Sequence, residues 1–75
     1  MKYYVIKLLT NDKGQDGSGL VMFTDRDKAL VSYHQTLATY HNASDVLFAV
    51  VEVVNENGDV ETKEIVDHRP ETPEA

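Results

Sequence analysis

Residues 46–54 read V-L-F-A-V-V-E-V-V, apolar at odd and even positions alike, which predicts a strand covered on both faces. N-E-N-G-D follows, and V-E-T-K-E-I-V then gives a second, more polar run. Asn57-Gly58 is a dipeptide that accepts positive φ at both positions, so the pattern predicts a two-residue hairpin loop joining strands over 45–54 and 60–66. That loop would set Glu52 opposite Lys63 and Val50 opposite Ile65, and the meeting of opposite charges favours this register.

At the other end, residues 2–10 (K-Y-Y-V-I-K-L-L-T) are rich in β-branched and aromatic side chains and predict the first strand. N-D-K-G-Q-D-G-S-G, with three glycines and no large apolar residue, predicts a long flexible loop, and residues 20–23 a short second strand. Thr24 stands three positions before Asp27, the spacing of a capping box, and predicts a helix start. Leu30, Tyr33, Leu37 and Tyr40 then recur at intervals of 3, 4 and 3, with Ala29 beside them, as one apolar stripe. His41-Asn42 closes the helix, Asn42 being suited to a left-handed cap.

The expected fold is therefore α+β: a four-stranded, mainly antiparallel sheet in the order β-β-α-β-β, with one helix packed on one face, forming a single domain over 1–67. Residues 68–75, H-R-P-E-T-P-E-A, predict a disordered acidic tail. A helix about 10–12 Å across cannot cover four strands spanning about 15–20 Å. Turning charged residues outward groups Lys7, Glu52 and Lys63, and alternation brings Tyr3, Val5, Leu9, Phe48, Val50, Val54 and Ile65 to the same side. The other side, with Tyr4, Ile6, Leu8, Leu47, Ala49, Val51, Val53 and Val66, suits the helix. Tyr3, Val5, Leu9, Phe48, Val50 and Ile65 are thus the expected oligomer interface, most simply of a homodimer packed sheet to sheet.

Composition strengthens the case for self-association. A chain of 75 residues builds a marginal core, and with no cysteine it has neither disulfides nor thiolate zinc sites to reinforce it. The missing cysteines fit a cytoplasmic chain, and the Lys7-interrupted start is no signal peptide or membrane span. The net charge of −6 is placed unevenly. Residues 1–51 balance five acids with five bases, whereas 52–75 set eight acids against Lys63 and Arg69. Direct nucleic-acid binding is disfavoured by that balance. Glu56, Asp59, Glu61 and Glu64 instead form an acidic end that would dock on a basic host protein.

Candidate chemistry is sparse. Tyr33-His34 and Tyr40-His41 repeat two helical turns apart, and their rings are suited to stacking a nucleotide-like ligand. The two histidines stand about 10.5 Å apart along the axis, too far to share a metal ion. D-K-G-Q-D-G (12–17) opens like a calcium loop, but Phe23 occupies the place of the closing Glu. The glycines lack the lysine and following helix of a phosphate cradle. Ser18, Ser32 and Ser44 lie outside any nucleophile elbow. Asp25, Asp27, His34 and Glu64 have no spacing that marks an acid–base pair. No catalysis, cofactor or metal is expected.

M-K-Y-Y-V-I-K together with D-K-A-L-V-S-Y-H-Q-T-L-A (27–38) resembles short proteins of unassigned role encoded by bacteriophages and prophages of gut anaerobes. The resemblance implies no catalytic residue. It implies a context in which small acidic proteins serve as virion structural accessories or as inhibitors of host defence. The expected function is that of a non-catalytic interaction protein acting as a homo-oligomer, the alternative being sequestration of a nucleotide-like small molecule.

Overall fold

Strand-forming residues crowd both ends of the chain and a helical stripe separates them; the computed structural model, which describes residues 1–69, follows that division. Its elements are β1 (Tyr3–Asn11), β2 (Asp16–Phe23), α1 (Arg26–Asn42), β3 (Val46–Asn55) and β4 (Val60–Asp67). The sheet order is β2-β1-β3-β4 and every neighbouring pair is antiparallel. β1 and β3 therefore form the centre, each carrying its own hairpin partner on the outside.

The core lies between α1 and one face of the sheet. Val5, Ala49, Val51, Val53 and Val66 are fully buried from the strands, and Ala29, Tyr33 and Leu37 meet them from the helix. The opposed pairs Val5–Val53 and Ala49–Val66 keep these residues on one side. β-Branched valines suit a strand because their restricted χ1 costs little there. Burying each contributes roughly 1.5–3 kcal/mol. Leu30 and Tyr40 flank the cluster, so the 3-4-3 stripe is the face the helix buries.

α1 starts one residue later than the capping-box reading placed it. Asp25, in extended conformation, is the N-cap, and its carboxylate accepts from the backbone N–H of Asp27 at 2.8 Å. A carboxylate there also complements the positive end of the helix dipole, which a Thr24 hydroxyl would not. The helix ends without a left-handed residue: Ala43 is the extended C-cap, and Asn42 donates from its side chain to the Ala38 carbonyl at 2.8 Å.

Both hairpins turn on an asparagine and a glycine. Asn11 Oδ1 accepts from the N–H groups of Lys13 and Gln15, each at 2.9 Å, and Gly14 takes φ +78°. Asn55 Oδ1 accepts from Asn57 at 2.9 Å and Asp59 at 3.1 Å, with Gly58 at φ +85°. N-D-K-G-Q and N-E-N-G-D are thus the same turn, three loop residues ending in a left-handed glycine. The expected two-residue loop with positive φ at Asn57 is corrected. The expected register nevertheless holds, Glu52 opposite Lys63 and Val50 opposite Ile65, because Glu61 is left unpaired as a bulge between Val53 and Val54.

Two further expectations are corrected. The glycine-rich stretch is not a flexible loop: β2 begins at Asp16, and Gly17 and Gly19 pair with Leu9 and Lys7. Those β1 side chains lie over the glycines, the Lys7 stem crowding the place of a Cβ on Gly19 and Leu9 standing at ordinary contact distance from that of Gly17. His68, expected to start the tail, continues the sheet instead, its N–H donating to the Leu47 carbonyl at 2.8 Å and its Nδ1 lying 3.0 Å from the Val46 carbonyl. Arg69, also in the expected tail, pairs with Asp67, and residues 70–75 lie outside the described residues.

Asn55 is the one polar side chain in the buried set among the described residues. Asn55→Ala leaves two turn N–H groups without their acceptor and is expected to lower unfolding free energy by about 1–3 kcal/mol. Asn11→Ala, at the more exposed turn, is expected to cost less. Urea unfolding of the two variants beside wild type checks the order; equal costs would mean that burial of Asn55 adds nothing.

Candidate functional site

Among the described residues, most of the exposed large apolar side chains stand on the face of the sheet away from α1. β1 supplies Tyr4, Ile6 and Leu8, each paired across to β3, with Val54, Glu52 and Val50 respectively. β2 adds Leu20 and Met22, which lie opposite Ile6 and Tyr4, and β4 adds Ile65 opposite Val50. Leu8, Leu20, Met22 and Ile65 are 49, 60, 50 and 50% exposed. The apolar residues of this face are neighbours across the strands rather than scattered singly.

The residues expected at the interface fall on two different sides of the sheet. Phe48, Val50 and Ile65 lie on this open face as expected, but Tyr3, Val5 and Leu9 lie beneath the helix, Val5 with no exposure at all. Lys7 explains the reversal. A charged residue was expected to face water on the open side, yet Lys7 sits opposite Gly19 on the helix side, its Cγ and Cε within 3.5 and 3.3 Å of where a Cβ on that glycine would stand. The aliphatic stem packs across the bare glycine, and the ammonium can reach water past the edge. Only the pairing of a lysine with a glycine makes that placement cheap, and no single-strand pattern reveals it.

Polar groups break the face at two places. Glu52 and Lys63 pair across β3 and β4 near its middle. At one corner Arg69 forms a bidentate pair with Asp67, Nε to Oδ1 at 3.0 Å and Nη2 to Oδ2 at 2.9 Å, and its guanidinium stacks 4.5 Å above the Phe48 ring. That hydrogen-bonded guanidinium holds the Asp67 carboxyl down at about 2. Beside Phe48, a shallow concavity of about 370 Å³ runs between Leu8, Val50, Thr10, Asp16 and Ser18.

The helix ring pairs are not gathered into a groove. Tyr33 is buried in the core, its hydroxyl accepting from Thr62 Oγ1 at 3.4 Å, and His34 stands exposed at its edge. Tyr40 is half-buried, and burial raises its phenol above the usual value. His41 turns to Glu64, Nε2 to Oε2 at 3.2 Å, with the His68 ring 6.4 Å away. The stacking platform expected of Tyr33, His34, Tyr40 and His41 is therefore corrected: a tyrosine on the stripe that seals the core has no face left for a ligand. Among the described residues, no three His, Asp or Glu side chains come together as a metal site. No helix there is long and apolar enough to cross a membrane.

The acidic end is also largely engaged within the chain. Glu56 accepts from the Lys2 N–H at 2.7 Å and lies 3.9 Å from the Met1 amine. Glu61, brought over the helix side by its bulge, accepts from Arg26 Nε at 3.1 Å and from Asn55 Nδ2 at 3.0 Å. Glu64 meets His41 as described, and Asp59 contributes its backbone to the turn. Arg26 at the start of α1 and His41 at its end thus both reach acids on β4. Comparison with protein-family models, curated proteins and solved structures returned no match.

The Arg26 hydrogen bond, then that of Asn55, holds the Glu61 carboxyl below its ordinary 4.5. A depressed carboxylate contributes stability above its unfolded value and loses it as pH falls through the folded one. Glu61→Gln is expected to melt below wild type at neutral pH, with the gap closing as the pH drops below 4.5. Melting curves across that range check it; a gap independent of pH would remove the ionic tie.

Proposed function

We propose that this is a non-catalytic interaction protein that acts as a homodimer, two copies packing their open sheet faces together. The observation that carries the reading is that one helix covers one face of a four-stranded sheet whose other face is also apolar. This keeps the expected self-association and moves the contribution of β1 from Tyr3, Val5 and Leu9 to Tyr4, Ile6 and Leu8.

Size and charge both support a second copy as the occupant. Strands of 8–10 residues, at about 3.3 Å per residue and 4.8 Å spacing, make a face of roughly 450–500 Å². Two such faces remove roughly 900–1,000 Å² from water, at the lower edge of what a specific interface buries. The charges near the middle, Glu52 and Lys63, are adjacent and opposite, so a two-fold axis beside them can set each against its opposite in the second copy. The acidic edge of β4 remains outside such a pair. In the phage and prophage setting that the sequence resemblance implies, that edge is the surface left for a basic host protein.

Light scattering of the purified protein is expected to give at least twice the 8.4 kDa chain mass. Val50→Glu, in the middle of the face, is expected to halve the wild-type mass, whereas Val31→Glu, on the exposed side of α1, leaves it unchanged. A wild-type mass of 8.4 kDa at micromolar concentration would overturn the reading.

A further inference from the structure

The two edges of the sheet are unlike. β4 carries Glu61, Lys63, Glu64 and Asp67 and is distorted by the bulge at Glu61, two devices that discourage another strand from pairing there. β2 has one charge, Asp16, at its first position; from Gly17 to Phe23 it holds no charge and no proline, and its register with β1 is unbroken. An edge of that kind presents a regular row of unpaired backbone donors and acceptors.

Which groups form that row follows from the turn. The Asn11 N–H donates to the Gln15 carbonyl, so residues 11 and 15 are a hydrogen-bonded pair, and such pairs alternate along an antiparallel ladder. Gly17, Gly19 and Val21 then bond to β1, while Ser18, Leu20 and Met22 turn their N–H and C=O groups away from the sheet.

We infer that β2 is a second self-association site, pairing antiparallel with β2 of another copy about a two-fold axis at Leu20. In that register Ser18 lies opposite Met22, Gly19 opposite Val21 and Gly17 opposite Phe23. Away from the axis, where Leu20 meets Leu20 of the other copy, each large side chain therefore meets a small one, and the outward groups of Ser18, Leu20 and Met22 are paired. Charge favours the same arrangement, because the acids concentrate on β4 at the far edge. The joined sheet has eight strands, with both helices on one side and both apolar faces on the other. The edge is a different surface from the open face, so each can fail alone; together they make a tetramer.

Leu20→Pro removes an outward N–H and no bond to β1, a substitution edge strands accept. It is expected to halve the wild-type mass by light scattering. In wild type, the amides of Ser18, Leu20 and Met22 are expected to exchange with deuterium as slowly as those of Gly19 and Val21. Val21→Lys, which puts a charge on the helix side of the seam and leaves the open face intact, is the second variant should Leu20→Pro not fold. If Val50→Glu halves the mass while both β2 variants keep it, the edge proposal fails and face pairing stands. The reverse result removes face pairing and keeps the edge. Fast exchange at Ser18, Leu20 and Met22 in associated wild type would overturn the edge proposal whatever the masses.

Discussion

A single helix is narrower than the sheet it lies on, and the rest of this structure is arranged around that mismatch. About 10–12 Å of helix sits over a sheet about 15–20 Å wide, so the dry zone follows the central strands β1 and β3 and thins towards β2 and β4. Val5, Val51 and Val53 lose all contact with water there, whereas Val21, opposite Val5 on the outer strand β2, remains 40% exposed. The margins are closed by other means. Lys7 covers Gly19 with its stem, and Arg26 and His41 reach from the two ends of the helix to Glu61 and Glu64 on β4.

The two hairpins are copies of one construction. Asn55 stands 44 positions after Asn11, and the same shift carries Tyr3 to Leu47, Lys7 to Val51 and Gly14 to Gly58. Lys7 and Val51 are also each other's partners across β1 and β3, so the sheet has an approximate two-fold axis between them. The helix breaks the symmetry, since it is connected to β2 and β3. The bulge at Glu61 breaks it again, and only in the hairpin whose extra residue holds the helix N-terminus through Arg26. A device that strengthens one edge electrostatically therefore also makes it a poor template for strand pairing, and β2 remains as the open edge.

Legibility differed from element to element for physical reasons. The hairpin of β3 and β4, the helix stripe and the element order depend on patterns within one segment, and each was readable. The start of β2 was not, because Asp16–Gly19 carries almost no strand propensity of its own and pairs by lying beneath the side chains of β1. The open face was half readable. β3 and β4 show their outward parity through Glu52 and Lys63, but in β1 the only charge, Lys7, points to the helix side and inverts the inference. Tyr33 and His34 looked alike as ring donors, and burial separated them. The matching N-x-x-G turns were the one overlooked signal that the chain itself contained.

Local pattern thus determined where β1, β3, β4 and the helix lie and which helical residues face inward, because those depend on period and branching within a few residues. Tertiary structure alone decided which side of β1 is wet, which acids are occupied and which edge is free. Each of those depends on what stands across a strand or beneath a helix, and a lysine over a glycine or a bulged glutamate beside an arginine is defined by the neighbour rather than by the chain's own order.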